Sequence, residues 1–415
     1  MTATIESNRL DYLDAVRAFA LLLGIVFHAS LSFLPIFIGW AVMDVSTSYL
    51  LSNVVMVSHS FRMELFFLIA GFFSHMTFHR QGAGSFLQSR LIRIAIPFVV
   101  GWFILRPLLV ASWAMGSESM RGEVNILSGL KIGFQSLAEL PKGLFTGSHL
   151  WFLYYLLLVT GITLGLRSLI GLRPQLREFL TRKVDSAITR LSDSRFALIV
   201  LAALTAISLW HMKLWGMDTP DQSLAPHLPV LLVYGSFFLL GWLLQRQQSL
   251  IGQFARLSIA TVALCIAGIA TSVYLAKFQL ESGHPQITLI RVLFVAGYAI
   301  MMWTLVAVGI GLFKRFFDKP SKLVRYIADS SYWVYLIHLP IVVWLQIAFA
   351  EVALHWSLKL VAISAITIGL SLILYDLVVR STAIGMVLNG RRRDRVLFAF
   401  PGLLSAKLDE GGERG

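Results

Sequence analysis

Charge is what this chain has least of. Only 14% of its 415 residues are Asp, Glu, Lys or Arg, while 57% are hydrophobic; soluble domains carry about 25% charged residues. A soluble globule of this length would leave the excess apolar surface facing water and aggregate. Cysteine is nearly absent. Cys265 alone, in an apolar stretch, excludes a disulfide scaffold and says nothing of redox compartment. With 31 glycines and 12 prolines there is no collagen-like composition, and the chain is too apolar to stay disordered. No internal repeat recurs with the period of a solenoid. What remains is a polytopic membrane protein.

Apolar runs of about 20 residues, enough to cross about 30 Å of hydrocarbon, fall at ten places: 12–35, 51–76, 94–113, 150–170, 196–214, 229–245, 257–276, 287–313, 330–350 and 358–379. With the N-terminus in the cytoplasm, 24 Lys and Arg fall inside, and six fall in the outside loops or at the outer edges of the spans. That is the asymmetry the positive-inside rule expects. It predicts an all-α transmembrane bundle with both termini cytoplasmic, in a single domain over 1–390 followed by a short basic tail, 391–415. It also accounts for the net charge of +13 without nucleic acid as a partner. The first run is too long for a cleaved leader and has acidic Asp11 and Asp14 at its start, so it is expected to be retained. Residues 114–149 read as a lid or re-entrant piece. Residues 171–195, basic with Leu176, Phe179, Leu180 and Ile188 at helical spacing, read as an amphipathic helix on the anionic leaflet.

Function is best sought where polarity is expensive. An ionisable group within a span costs roughly 2.5–3.5 kcal/mol on insertion scales, so it usually faces a bundle interior or a wet cavity. Such groups crowd into a few spans: Asp14, Arg17 and His28 in the first, His59, Arg62, Glu64 and His75 in the second, His338 in the ninth, and His149 at the start of the fourth. Eleven residues separate Arg17 from His28, and eleven steps of about 100° return to nearly the same face. Depth counting from the ends of the first two spans brings His28, His59, Arg62 and Glu64 to similar levels. Plainer readings compete: Arg62 and Glu64 as a structural ion pair, His59 as a wet residue near the boundary, His75 and His79 as interfacial groups. His28, deep between Phe27 and Ala29, is the hardest to explain as structure.

A deep His above a basic mouth suits acyl transfer across the membrane. Arginines at the inner mouth would hold the phosphates of cytosolic acyl-coenzyme A. A neutral His part-way across would take the proton from an acceptor hydroxyl, and nearby cations would stabilise the oxyanion. Arg90 and Arg93, spaced i,i+3 in SRLIRIAIP, supply a second basic pair. No His, Cys and carboxylate set has metal-ligand spacing, so no metal and no bound cofactor are expected. The rival class is a polysaccharide or proton-coupled transporter, for which buried His, Arg and Glu are equally natural. The missing inverted repeat and the lack of paired broken spans count against it.

The set Arg17-x10-His28, SFRMELFFLIAGFF (60–73), Arg90-x-x-Arg93 before Pro97, HLWFLYYL (149–156) and SSYWVYLIHLP (330–340) resembles the acyltransferase-3 family over about residues 10–340. Within it, HSFRMELFF and GSHLWFL on a chain without an appended esterase domain resemble a subgroup associated with succinylation of osmoregulated periplasmic glucans. The wider family usually has Ser-Gly where this chain has Ala70-Gly71, so no hydroxyl is required there. The resemblance implies a bacterial inner-membrane O-acyltransferase, taking an acyl group, succinyl foremost, from cytosolic acyl-CoA to a periplasmic glucan. An O-acetyltransferase of another envelope polysaccharide or lipid is the alternative. It implies Arg17 and His28 as donor contact and base, with Arg62 and Glu64 beside them, and Arg90 and Arg93 on the donor side. His149, Trp151, His338 and His59 become the substrate pocket. The bilayer and other glucan-biosynthesis membrane proteins are the further partners.

Overall fold

The computed structural model describes residues 10–138, 148–281 and 283–398, which form sixteen α-helices and no strand. Helix α1 (Asp11–Ser30) opens with Asp11 and Asp14 in its first turn, where the helix dipole favours negative charge. Helices α2 (Tyr49–His59) and α3 (Arg62–Gln81) make one span that breaks at Ser60–Phe61. Helix α4 (Ala83–Arg90) passes through a π-helical stretch, Leu91–Ala95, into α5 (Ile96–Ser119), and α6 (Ile126–Gln135) folds back along α5. Then come α7 (Trp151–Gly171), α8 (Pro174–Asp193), α9 (Ala197–Trp210), α10 (Leu228–Arg246), α11 (Ser249–Phe254) and α12 (Ile259–Ala276). The chain continues through α13 (Ile287–Phe316), α14 (Lys322–Phe349), α15 (Trp356–Leu374), a π-helical Tyr375–Val379, and α16 (Ala383–Asn389).

Among the described residues nine helical runs are long and apolar enough to cross a membrane, or ten if the bent pair α8 and α9 counts as one. The protein is therefore a multi-pass membrane protein. The expected span over 196–214 is where the count wavers. Its helix, α9, has 14 residues and ends at Trp210, and the chain turns by 116° between α8 and α9. Helix α8 buries no residue and exposes Leu176 and Phe179, as a surface helix does. The expected lid over 114–149 divides into the extension of α5, a turn and α6; Pro141 and Gly143 lie outside the described residues, as do 399–415 of the basic tail.

Small residues let the helices close up, as membrane helix pairs require. Helices α3 and α10 pack through reciprocal glycines: a Cβ on Gly71 would collide with the carbonyl of Phe238, and one on Gly241 with that of Leu68. The glycine of the Ala70-Gly71 pair is thus a packing requirement of the α3–α10 contact. Helix α14 packs against α1, α5 and α15, which makes it the central post of one half of the bundle.

One buried ion pair fastens the loop after α1. Lys359 Nζ, on α15, lies 2.7 Å from Asp44 Oδ1, and the two side chains are 0% and 2% exposed. Burial pushes the Asp44 carboxyl above its ordinary value, while the bonds from Lys359 and the Ser46 N–H pull it back. Asp44→Asn leaves the ammonium buried without a counter-charge and is expected to cost about 3–5 kcal/mol. Thermal unfolding in detergent checks this; an unchanged Tm would show that the pair carries no stability.

Candidate functional site

Both polar residues of the α1 stripe face one large cavity. Its volume is about 1910 Å³, against about 300–1,000 Å³ for an ordinary small-molecule pocket, so there is room for more than one substrate. At one end, called the basic end below, it is lined by Arg17, Arg80, Arg90, Arg93 and Arg391; at the far end by Trp40, Trp113 and the loop from Lys213 to His227. Helix α14 supplies a continuous wall: Ala328, Ser331, Tyr332, Tyr335, His338 and Leu339 follow the helical period and all line it.

Three histidines meet in the middle. The ring of His28 lies 5.3 Å from that of His338, which lies 5.8 Å from that of His149. Two of the three are held. His338 Nδ1–H donates back along α14 to the carbonyls of Tyr335 (2.8 Å) and Val334 (3.1 Å), which leaves Nε2 as an acceptor. His149 Nε2–H donates to the Leu336 carbonyl (3.0 Å), while its backbone carbonyl accepts from the Tyr335 hydroxyl (2.7 Å). His28 is different: its Nδ1 is buried with no hydrogen-bond partner among the described residues. Trp40 stacks on it with centroids 5.8 Å apart and planes at 16°. Trp40 is itself fixed by Nε1–H donation to Gln346 Oε1 (2.9 Å), and Gln346 Nε2–H donates to the carbonyls of His28 (3.0 Å) and Ala29 (3.1 Å).

The break between α2 and α3 brings His59 and Arg62 to the same place. The Arg62 guanidinium sits 4.2 Å over the Phe27 ring, on which His59 also stacks at 5.6 Å. His59 Nε2 lies 3.0 Å from the Thr219 hydroxyl in the far-end loop. Arg62 is 6% exposed, and its Nη1 is buried without a hydrogen-bond partner among the described residues. The ion pair expected with Glu64 does not form among the described residues. Glu64 is fully buried and absent from the cavity lining, and among the described residues its carboxylate oxygens meet no other side chain's hydrogen bond. Helix geometry explains it: residues i and i+2 point to different sides, so with Arg62 facing the cavity, Glu64 faces away from it, still within electrostatic reach of Arg62 as well as of Tyr234 and Tyr298.

At the basic end, Arg17 Nη2–H donates to the Ala328 carbonyl (2.7 Å) and lies 3.5 Å from Asp14. Arg90 reaches the Ser74 hydroxyl at 3.2 Å and covers the Phe86 ring. Arg93 sits inside the π-helical stretch, a distortion that often marks working sites. Its carbonyl accepts from the Tyr332 hydroxyl (2.6 Å), and its guanidinium lies against Gly390 (φ +73°), where any side chain would collide. Further along, Asp376 accepts the backbone N–H groups of Val396, Leu397 and Phe398, and Arg393 pairs with Asp329, tying the segment after α16 to this end. At the far end burial raises the Asp221 carboxyl, against the hydrogen bond from Gln222.

The structure therefore gathers Arg17, His28, His59, Arg62, Arg90, Arg93, His149, Trp151 and His338 on one cavity, and leaves Glu64 off it. Sequence reasoning missed Trp40, Trp113 and Gln346. Tyr335 stood within the quoted SSYWVYLIHLP, one helical turn before His338, and its spacing was the available signal. No group of three His, Cys, Asp or Glu that could hold a metal ion occurs among the described residues.

The family model described as an acyltransferase domain, that of the acyltransferase-3 family, matches residues 10–376. Curated proteins named glucans biosynthesis protein C, from Salmonella typhi, Salmonella dublin and Salmonella typhimurium, are 26% identical over 393 residues, covering 94% of this chain and 97% of theirs. No solved structure matches.

Proposed function

The chain belongs to the acyltransferase-3 family and is a membrane acyltransferase, and from that premise we propose that it carries succinyl groups from cytosolic succinyl-coenzyme A to hydroxyls of a periplasmic glucan. The observation that carries the reading is the single cavity that begins among arginines, passes His28 and ends at tryptophans. The basic end takes the donor. Arg17, Arg90 and Arg93 offer charge and planar forks to the coenzyme A phosphates. The far end takes the acceptor: Trp40 and Trp113, 5.2 Å apart edge to face, present flat apolar surface to a sugar ring, as aromatic residues with a wet edge do.

Transfer then runs over His28. The acceptor hydroxyl oxygen attacks the thioester carbonyl carbon as His28 takes its proton. Arg62 holds the terminal carboxylate of the succinyl group while the oxyanion forms. The C–S bond breaks, the ester forms, and the departing thiolate takes the proton from the imidazolium, so free coenzyme A and neutral His28 are restored. His338 and His149, each committed to a backbone carbonyl, shape the pocket. Glu64 has no part in these steps.

Mass spectrometry of glucans and envelope polysaccharides from a deletion strain tests the reading. The expected result is loss of succinyl from the glucan; unchanged glucan with acetyl lost from another polysaccharide overturns it. The relatives' name, glucans biosynthesis protein C, and the 24-to-6 charge asymmetry support the direction, with the basic end in the cytosol of an inner-membrane protein. Cysteines at Ser46 and Ser117 should accordingly label from the periplasm and those at Ser85, Ser186 and Ser321 should not. Ser282, a third periplasmic candidate, lies outside the described residues. Outside labelling at Ser186 would reverse the orientation.

A further inference from the structure

A second cavity, of about 680 Å³, opens at the basic end between α3, α7, α8 and α10, and shares no lining residue with the first. Its wall holds three arginines, Arg167, Arg177 and Arg246, and two histidines, His75 and His79, against a single carboxylate, Glu178. Arg246 is spoken for by Asp185 at 2.8 Å. Arg167 lies 4.9 Å over the Phe78 ring, and neither it nor Arg177 has an ion-pair partner among the described residues. The floor is organised: His75, 7% exposed, is hydrogen-bonded to Gln245 and packs its ring 4.3 Å from that of His79. Two uncommitted guanidiniums over a fixed polar floor are the complement of a phosphate ester, whose oxygens accept forked N–H pairs.

We propose that this pocket binds the phosphate of an anionic phospholipid headgroup from the leaflet at the basic end. What favours lipid over a free anion is the surface next to it. Leu169, Leu172 and Phe179 are 65%, 77% and 51% exposed, on the end of α7 and along α8. Leu169 and Phe179 lie two residues from Arg167 and Arg177, on other faces of α7 and α8; they are surface for acyl chains to cover, which sets the pocket at the edge of the bilayer, where a water-borne phosphate has no use for them. The excess of arginine over carboxylate selects against a zwitterionic headgroup, whose ammonium would meet like charge. Basic pockets between membrane helices bind acidic headgroups in this way. A bound lipid would clamp α8, which buries no residue of its own, onto the ends of α3 and α10. The inference does not depend on which acyl group or acceptor the enzyme uses.

The test is a titration of the purified full chain in neutral detergent with dioctanoyl phosphatidylglycerol, dioctanoyl phosphatidylcholine and inorganic phosphate in separate arms, reading Kd and Tm. Phosphatidylglycerol should bind and raise Tm, while the other two leave it unchanged. Arg167→Gln/Arg177→Gln should weaken phosphatidylglycerol binding about thirtyfold, at roughly fivefold per cation removed. Should the double variant not fold, Arg177→Gln alone, on the exposed α8, should weaken it about fivefold. Equal shifts with both lipids, or arginine variants that bind as wild type, would overturn the pocket. An equal shift with inorganic phosphate would overturn the lipid assignment.

Discussion

His28→Ala is expected to lower acyl transfer by about 10²–10⁴-fold, the usual worth of a general base, while coenzyme A derivatives still bind. The two effects should separate because the proposed donor site is the basic end, and Arg17 and His28 sit eleven residues apart along one face of α1, about 16 Å at 1.5 Å per residue. Arg17→Ala should do the opposite, weakening donor binding first. Arg17→Lys should rescue poorly, because the guanidinium uses one edge on the Ala328 carbonyl and still has N–H groups for phosphate, whereas an ammonium is a point charge. Calorimetric titration with a non-hydrolysable coenzyme A derivative and turnover on the same samples read both quantities. Normal glucan acylation by His28→Ala would remove His28 from the mechanism, and His338, whose Nε2 is left as an acceptor, would become the base to examine.

The contrast between α1 and α3 shows what the sequence can disclose. Helical spacing is enough to put Arg17 and His28 on one face, because α1 runs unbroken over twenty residues. The second span misleads, since hydropathy runs unbroken through Ser60–Phe61 where the helix does not. Counting depth along it put Glu64 beside Arg62; the turn of about 200° between residues two apart sends Glu64 into the protein instead. Trp40 gave no periodic signal at all. It lies in a non-helical segment and reaches His28 only because Gln346, from α14, holds its indole and the end of α1 together. Contacts of that kind, 306 positions apart in the chain, belong to tertiary packing and leave no local trace. The arginines of the basic end were legible as charge, but the bond from the Tyr332 hydroxyl to the Arg93 carbonyl was not.

Arg62→Gln is expected to reduce succinyl transfer about a hundredfold while changing acetyl transfer no more than about threefold, since a charge-assisted hydrogen-bonded pair is worth roughly 1.5–3 kcal/mol. A succinyl donor ends in a carboxylate that must enter the membrane interior, where an unpaired charge is very costly; an acetyl donor has no such group. Arg62 is placed to meet that carboxylate. It lines the cavity and lies over Phe27, and its Nη1 is without a partner. Gly24 on α1 lies beside it, where a Cβ would make no more than an ordinary contact, 3.8 Å from Nη1. Had Glu64 paired with Arg62, the arginine would have been spent on structure and the double variant Arg62→Gln/Glu64→Gln would restore activity. With no such pair, Glu64→Gln alone should keep turnover, because it exchanges an unpartnered buried carboxyl for a neutral group of the same shape, and the double variant should stay poor with succinyl. Competition between succinyl- and acetyl-coenzyme A on purified protein reads the preference directly. A wild-type preference for acetyl, or a double variant with near wild-type succinyl transfer, would return Arg62 to a structural role and take the carboxylate-pairing argument with it.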